Sequence, residues 1–177
     1  MNISSFNNHL PVKIRFGNGI SKSLPSVINE LNAKNILLMV DDGIEKFNPA
    51  AADLINLLKS EKGFSISVFA KPAGEPTIDM VDEATAALAK SGADCVVALG
   101  GGSVIDTAKA ARLCAQLGVN FREFSASPPK YPEPKIPLIA LPTTSGTGSE
   151  VSGGSVISDP VAGRKAGIAN GNLRAQF

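Results

Sequence analysis

One stretch, residues 95–111, constrains the fold of this chain more than any other. It begins with a short apolar run free of charge, Cys-Val-Val-Ala-Leu, which predicts a strand buried on both faces of a parallel sheet. Three glycines follow, and after them comes an alanine-rich segment with apolar residues at helical spacing. The sequence therefore predicts a strand, a glycine turn and a helix in direct succession, which places bare backbone amides at a helix N-terminus.

The three glycines form a candidate site for a phosphate group. Gly100, Gly101 and Gly102 let the backbone approach an anion closely, and unpaired amides at a helix start donate to phosphate oxygens. Ser103 either caps the helix or donates its hydroxyl to the ligand. A plain turn is the alternative, although three consecutive glycines exceed what a turn needs. Because Ile105 replaces the third glycine of the dinucleotide fingerprint, spacing alone does not distinguish NAD from another phosphate ligand.

Apolar strands and amphipathic helices alternate along the rest of the chain. Strands are predicted at 12–16, 35–40, 64–69 and 136–141, and helices at 20–32, 50–58 and 77–90, the last with Thr77 as its N-cap. The alternation predicts an α/β fold that is Rossmann-like and doubly wound, with a mostly parallel sheet and helices on both faces. Residues 156–158 and 165–169 predict a C-terminal β-hairpin.

Composition and charge exclude several function classes. The 177 residues fit one domain, and a net charge of +1 gives no electrostatic case for nucleic acid or for a membrane surface. No apolar run approaches the roughly 20 residues of a membrane span. Cys95 and Cys114 are expected to be buried and are too few for a disulfide framework. With no secretory signal at the N-terminus, a cytoplasmic location is expected.

A second polar loop is predicted after the strand at 136–141. Residues 142–150, Pro-Thr-Thr-Ser-Gly-Thr-Gly-Ser-Glu, contain mostly hydroxyl and glycine residues. Open α/β sheets bind ligands at the carboxyl ends of their strands, where this loop would lie. It is therefore interpreted as a second ligand-lining loop, with a purely structural turn as the alternative.

Two motifs resemble the signatures of the iron-dependent (group III) alcohol dehydrogenase family. Residues 99–109, Leu-Gly-Gly-Gly-Ser-Val-Ile-Asp-Thr-Ala-Lys, resemble the first signature, and residues 142–151 resemble the second. The resemblance covers essentially the whole chain. It implies that residues 1–177 are the N-terminal dinucleotide-binding domain of a family about twice as long, and that the C-terminal helical metal-binding domain is absent here.

The resemblance also implies roles for residues near the phosphate site. Asp41, at the end of the second predicted strand, resembles the residue that contacts the adenosine ribose, where a carboxylate favours NAD over NADP. Gly101, Gly102 and Ser103 resemble the pyrophosphate cradle. Asp106 matches a signature aspartate on the nicotinamide side. Without the family, Asp41 would be interpreted as a solvated turn residue and Asp106 as a helix-dipole carboxylate.

Further cofactor contacts are implied in the second half of the chain. Thr143, Thr144 and Thr147 resemble the loop that flanks the adenine and ribose, and Ser152 stands where a cofactor-contacting threonine is common. Lys165 resembles the lysine that reaches the ribose hydroxyls. By itself, a lysine in a hairpin would be interpreted as a surface residue.

The same resemblance implies what this chain lacks. In the family, an aspartate and three histidines of the C-terminal domain hold the catalytic iron or zinc, whereas His9 is the single histidine here. We therefore expect no catalytic residue and no metal ligand in this chain. The expected function is NAD binding within an oxidoreductase that transfers a hydride between a small alcohol or aldehyde and the cofactor, with the chain alone inactive and a homo-oligomer expected. Relatives of glycerol dehydrogenase or maleylacetate reductase, and a standalone nucleotide-binding module without catalysis, are the alternatives.

Overall fold

The computed structural model describes residues 9–126 and 130–177, which form two sheets and the helices packed on them. The strands are β1 (Asn35–Asp41), β2 (Ser65–Lys71), β3 (Cys95–Gly100), β4 (Leu138–Pro142), β5 (Gly154–Asp159) and β6 (Arg164–Ala169). The α-helices are α1 (Leu24–Glu30), α2 (Ile44–Phe47), α3 (Pro49–Ser60), α4 (Ile78–Ser91), α5 (Gly102–Leu117) and α6 (Phe121–Ala126). Two short 3₁₀ helices span Ile20–Ser23 and Gly171–Leu173.

The main sheet is parallel and has the strand order β2-β1-β3-β4. Its strands end nearly level with one another, because Asp41 pairs with Lys71 and Gly100 pairs with Pro142. Strands β5 and β6 form a separate antiparallel hairpin. The predicted α/β fold, with a parallel sheet and a hairpin near the C-terminus, is confirmed. The level strand ends bring the candidate site residues to one edge of the sheet.

Alternate residues of the central strands pack against helices on opposite faces of the sheet. One face carries Leu37, Met39, Val96 and Ala98 against helices α4 and α5. The other carries Ile36, Leu38, Val40 and Val97 against α1, α2 and α3. Because both faces are covered, the strands are apolar at successive positions, which is why each appeared in the sequence as a continuous apolar run.

Helix α4 begins where the sequence predicts. The Thr77 side chain accepts a hydrogen bond from the amide of Met80 at 3.3 Å. Such a cap contributes about 1 kcal/mol. The short helix α6 was not predicted, because its six residues are too few to show a helical period. It begins with tertiary help, since the Phe121 amide donates to the Asp82 carboxylate at 2.7 Å.

The prediction of a strand at residues 12–16 is wrong. This segment forms neither a helix nor part of a sheet among the described residues. Lys13 and Arg15 reach Glu30 of α1 at 2.9 and 2.6 Å and lie over the Phe177 ring, while Phe16 is fully exposed. The charged residues of this segment therefore form ion pairs, while Ile14 and Phe16 are exposed and Val12 is half-buried.

A buried guanidinium holds the segment that follows the hairpin. Arg112 of α5 donates to the carbonyls of Leu173 and Arg174 at 3.0 and 3.1 Å and to the Gln176 side chain at 3.0 Å. Burial lowers the pKa of Arg112 to about 10. The Ala140 amide of β4 then donates to the Phe177 carbonyl at 2.8 Å, so the last residues lie along the β4 edge. No helix in the described part of the chain is both long and apolar enough to span a bilayer.

Candidate functional site

The glycine turn leads directly from β3 into the longest helix that the structure describes. Gly101 is the N-cap of the 16-residue helix α5 and has no side-chain cap, so Ser103 is not the cap. Within residues 9–126 and 130–177, the amides of Gly102 and Ser103 and the Ser103 hydroxyl have no hydrogen-bond partner. Unpaired amides at the positive end of a helix are suited to bind anionic oxygens.

Two of the three glycines lie where a Cβ atom would crowd neighbouring side chains. A Cβ on Gly100 would lie 2.5 Å from Val104 Cγ2 and 2.9 Å from Asp41 Oδ2, and a Cβ on Gly102 would lie 3.1 Å from both Thr147 Cβ and Ser149 Oγ. None of the three has a positive φ. Three consecutive glycines therefore do not by themselves indicate a ligand, because crowding by neighbouring side chains disfavours a larger residue at two of them.

Gly101 is the exception among the three. The nearest atom to a Cβ there would be Thr144 Oγ1 at 3.4 Å, an ordinary contact. Its backbone is extended, with φ of −75° and ψ of −176°, which any residue adopts. Folding alone thus leaves room for a side chain at this position. A ligand that approaches the backbone at the turn would require glycine at this position.

The hydroxyl-rich loop after β4 lies against the glycine turn. The Thr143 amide donates to the Gly100 carbonyl at 3.0 Å, and the Thr144 and Thr147 side chains face Gly101 and Gly102. All three threonines are solvent-exposed. The structure therefore brings these predicted site residues together with the turn and leaves their side chains accessible from solvent.

Asp41 joins the same edge of the sheet from β1. Its Oδ2 accepts a hydrogen bond from the Gly101 amide at 3.4 Å, and its Oδ1 lies 3.7 Å from the Lys71 ammonium. About a third of the Asp41 side chain is exposed. The next residue, Asp42, is exposed, and its amide continues the ladder to the Lys71 carbonyl at 2.8 Å. Asp41 therefore contacts both the turn and a buried cation, whereas the Asp42 side chain faces solvent.

Lys71 is a residue of this edge that sequence reasoning missed. Its side chain is fully buried, and its ammonium donates to the carbonyls of Pro72 at 2.6 Å and Gly74 at 2.9 Å. Burial lowers the pKa of Lys71, and the Asp41 carboxylate opposes that shift. The sequence signal was weak, because Lys71 lies two residues beyond the strand predicted at 64–69. Its link to Asp41 depends on the pairing of β1 with β2, which the sequence does not specify.

Asp106 and Ser152 also come together, but around a second buried cation. The Lys109 ammonium donates to the Gly154 carbonyl at 2.7 Å and to Ser152 Oγ at 3.3 Å, and it lies 3.5 Å from Asp106 Oδ1. The other Asp106 oxygen accepts from the Val156 amide at 3.0 Å. These contacts fasten the β5–β6 hairpin to α5.

The Lys109 network gives Asp106 and Ser152 structural roles in this fold. Burial lowers the pKa of Lys109, and the Asp106 carboxylate opposes that shift. The missed signal was the lysine itself, which falls on the buried face of an alanine-rich helix. Contacts of Asp106 and Ser152 with a cofactor remain predictions.

Lys165 lies on the hairpin in an exposed ion pair. Its ammonium is 2.9 Å from the Glu75 carboxylate, and well over half of each side chain is exposed. The Ser158 hydroxyl donates to the other Glu75 oxygen at 2.9 Å. An exposed pair of this kind contributes little to folding, so Lys165 is free to exchange partners. Its contact with a ribose remains a prediction.

A cleft of about 640 Å³ runs beside the glycine turn, between residues 12–16 and β4. Thr143, Thr144 and Glu150 line one wall, whereas Asp41 and the three glycines do not contribute to it. Glu150 Oε2 is buried and has no hydrogen-bond partner in the described parts of the chain. The cleft therefore adjoins the candidate phosphate site at the threonines and does not cover it.

The described residues fit some groups and not others. Unpaired amides and a hydroxyl at the turn suit phosphate oxygens, and the adjacent carboxylates suit ribose hydroxyls. Across residues 9–126 and 130–177, no three His, Cys, Asp or Glu side chains cluster in a way that could hold a metal ion. These residues therefore do not fit a catalytic iron or zinc.

Known relatives align with most of this chain over only a part of their own length. The chain is 39% identical over 141 residues to the probable alcohol dehydrogenase EutG of Escherichia coli, covering 79% of this chain and 35% of that protein. It is 35% identical over 162 residues to the human mitochondrial hydroxyacid-oxoacid transhydrogenase, covering 89% of this chain and 34% of that protein. The chain thus spans about a third of the length of these relatives.

Solved structures share the fold over nearly the whole chain. A sulfoacetaldehyde reductase from Bifidobacterium kashiwanohense, in complex with NAD⁺, has a TM-score of 0.84 and 28% identity, covering 97% of this chain and 45% of that one. The NADH-dependent butanol dehydrogenase A of Thermotoga maritima has a TM-score of 0.88 and 26% identity, covering 97% and 43%. A family model described as iron-containing alcohol dehydrogenase matches residues 11–177. The resemblance of the two motifs is thereby confirmed, and the chain belongs to the iron-containing alcohol dehydrogenase family, whose N-terminal domain it represents.

Proposed function

We propose that this chain binds NAD at the glycine turn and serves as the cofactor-binding part of a dehydrogenase that interconverts a small alcohol and its carbonyl compound. The observation that carries the proposal is the pair of unpaired amides of Gly102 and Ser103 at the start of α5. The NAD⁺ complex of one structural relative and the NADH-dependent butanol dehydrogenase activity named for another support the cofactor and the substrate class.

In this proposal each element of the site has one task. The amides of Gly102 and Ser103 and the Ser103 hydroxyl hold the pyrophosphate, while Asp41 accepts a hydrogen bond from a ribose hydroxyl. Thr143, Thr144 and Thr147 flank the adenosine, and Asp106, Ser152 and Lys165 lie on the hairpin side of the cofactor. Bound NAD supplies the nicotinamide ring that accepts a hydride. The residues of this chain bind and orient the dinucleotide.

Calorimetric titration of the purified chain with NAD tests the proposal, with NADP and adenosine as comparison ligands. We expect saturable binding of NAD and weaker binding of adenosine, because adenosine lacks the pyrophosphate that the turn would hold. Equal affinity for NAD and adenosine would contradict a phosphate role for the glycine turn. Failure to bind any of the three would contradict the cofactor assignment itself.

We further infer that this chain alone does not oxidise alcohols. With His9 as the single histidine, it cannot supply the three histidine ligands implied by the family resemblance. Metal analysis of dialysed protein, together with an NADH-forming assay across small alcohols including glycerol, tests this directly. One equivalent of bound metal with turnover would overturn it, and a preference for glycerol would favour the glycerol dehydrogenase alternative.

Self-association and location are the remaining parts of the proposal. Ile14 and Phe16 are exposed at the cleft beside β4, and exposed apolar side chains of this size favour association between copies. Light scattering tests for a homo-oligomer, and a monomer at every concentration would contradict it. We also propose a cytoplasmic location, which cell fractionation tests.

A further inference from the structure

Lys71 lies behind Asp41 at the proposed phosphate site, and it is too deeply buried to touch a ligand there. Its side chain has no exposed surface, and two of its three donors are taken by the carbonyls of Pro72 and Gly74. The remaining direction faces Asp41, whose Oδ1 lies 3.7 Å from the ammonium. A buried charge is costly unless it is paired, so the fold retains this lysine together with its carboxylate partner.

The Asp41 carboxylate in turn reaches the glycine turn. Its second oxygen accepts from the Gly101 amide at 3.4 Å and lies 2.9 Å from the position of a Cβ on Gly100. One chain of contacts therefore runs from the carbonyls of residues 72 and 74 through Lys71 and Asp41 to the backbone of the turn. It joins the end of β2 to the start of α5 through the end of β1.

This arrangement places a carboxylate beside the amides that would bind phosphate. An uncompensated negative charge on Asp41 would repel a pyrophosphate bound at the neighbouring amides. A buried ammonium on the far side of the carboxylate offsets that charge and fixes its orientation. The turn can then present a net positive potential to an anion.

We propose that Lys71 is a positioning residue of the cofactor site, which compensates and orients Asp41 so that the glycine turn accepts a dinucleotide phosphate. The proposal rests on the proposed NAD-binding function and adds to it a residue that lies outside both family signatures and has no surface for direct contact with the cofactor. Lys71 acts through Asp41, so removing the Asp41 charge should make Lys71 dispensable for cofactor binding.

A double-mutant cycle tests this dependence. NAD affinity is measured by calorimetry for the unmutated chain, Lys71→Met, Asp41→Asn and the double variant. We expect Lys71→Met to weaken NAD binding about tenfold in the native background and by less than about twofold in the Asp41→Asn background. Equal weakening in both backgrounds would overturn the proposal, because it would mean that Lys71 acts only by holding the carbonyls of residues 72 and 74. No weakening in the native background would overturn it as well.

A second measurement separates this proposal from the cofactor assignment. The amide resonance of Gly101 is observed by ¹H–¹⁵N correlation without any ligand. It should shift between the unmutated chain and Lys71→Met. It should not shift between Asp41→Asn and the double variant. An unchanged Gly101 resonance in Lys71→Met would refute the coupling even if NAD binds. A shifted resonance in a chain that does not bind NAD would support the coupling while contradicting the proposed function. Should Lys71→Met fold poorly in urea titrations, Lys71→Gln takes its place in both measurements.

Discussion

Alanine at each position of the glycine turn separates packing from ligand binding. At Gly101 the added Cβ meets its nearest protein atom, Thr144 Oγ1, at 3.4 Å, and the backbone there suits any residue. Alanine is a poorer N-cap than glycine by about 0.5–1 kcal/mol, while the loss of unfolded-state freedom favours alanine by about 0.4–1 kcal/mol. The two effects nearly cancel. We expect the free energy of unfolding of Gly101→Ala to stay within about 1 kcal/mol of the unmutated chain.

The neighbouring glycines provide matched controls. At Gly102 the Cβ would lie 3.1 Å from Thr147 and Ser149, so the loop must yield by a few tenths of an ångström, at a cost of about 1 kcal/mol. At Gly100 the Cβ would lie 2.5 Å from Val104 Cγ2, inside a fully buried part of the core. Overpacking of that kind costs about 1–3 kcal/mol or more. Stability should therefore decrease in the order Gly101→Ala, Gly102→Ala, Gly100→Ala.

Cofactor affinity should not follow stability, because Gly101→Ala should be the most stable of the three variants and yet bind NAD poorly. If phosphate approaches the backbone at the turn, a methyl group at Gly101 blocks it, and NAD binding should weaken at least about tenfold, or about 1.4 kcal/mol. Urea unfolding and calorimetry on the same three variants supply both orders. If Gly101→Ala binds NAD within about twofold of the unmutated chain, no phosphate approaches the backbone at Gly101, and the proposed role of this glycine is refuted.

Three further predictions follow from the paired charges and the buried thiols. NAD should bind at least about tenfold tighter than NADP. Asp41→Gly should reduce this ratio of affinities more than Asp42→Asn does. Equal affinities for NAD and NADP in the unmutated chain, measured by calorimetry, would contradict the contact between Asp41 and the ribose. Arg112→Met should lower the free energy of unfolding by about 3 kcal/mol in urea titrations, because several buried carbonyls lose their donor, and a loss below about 1 kcal/mol would show that water replaces it. Burial raises the pKa of Cys95 and Cys114 from 9.0 to about 12, so the folded chain should resist thiol reagents until it unfolds. Between pH 9 and about pH 12 these thiols keep their protons in the folded chain and lose them in the unfolded chain. The free energy of unfolding should therefore fall as the pH rises through this range, and it should fall less steeply in the variant with alanine at both cysteines.

Local features of the sequence were sufficient to predict most of the elements. Some features depend only on residues that are close together in the chain. They include the uncharged runs of β1, β3 and β4, the Thr77 cap and the C-terminal hairpin. The position of the candidate site was also predictable, because parallel strands place their carboxyl ends on one side of a sheet and both polar loops follow such ends.

The partners of the charged residues were decided only by the tertiary structure. Asp41 meets Lys71 because β1 pairs with β2 in one particular register, and it meets Gly101, 60 residues away, because β3 lies on its other side. Lys109 likewise finds Ser152 only when the hairpin packs on α5. Charged and apolar residues alternate in residues 12–16 as they would in a strand, but this segment pairs with no strand of the described sheets. A sequence specifies which residues prefer burial or a turn through local interactions. Which distant groups satisfy a buried charge depends on strand order and register, and these are fixed by the packing of the whole domain.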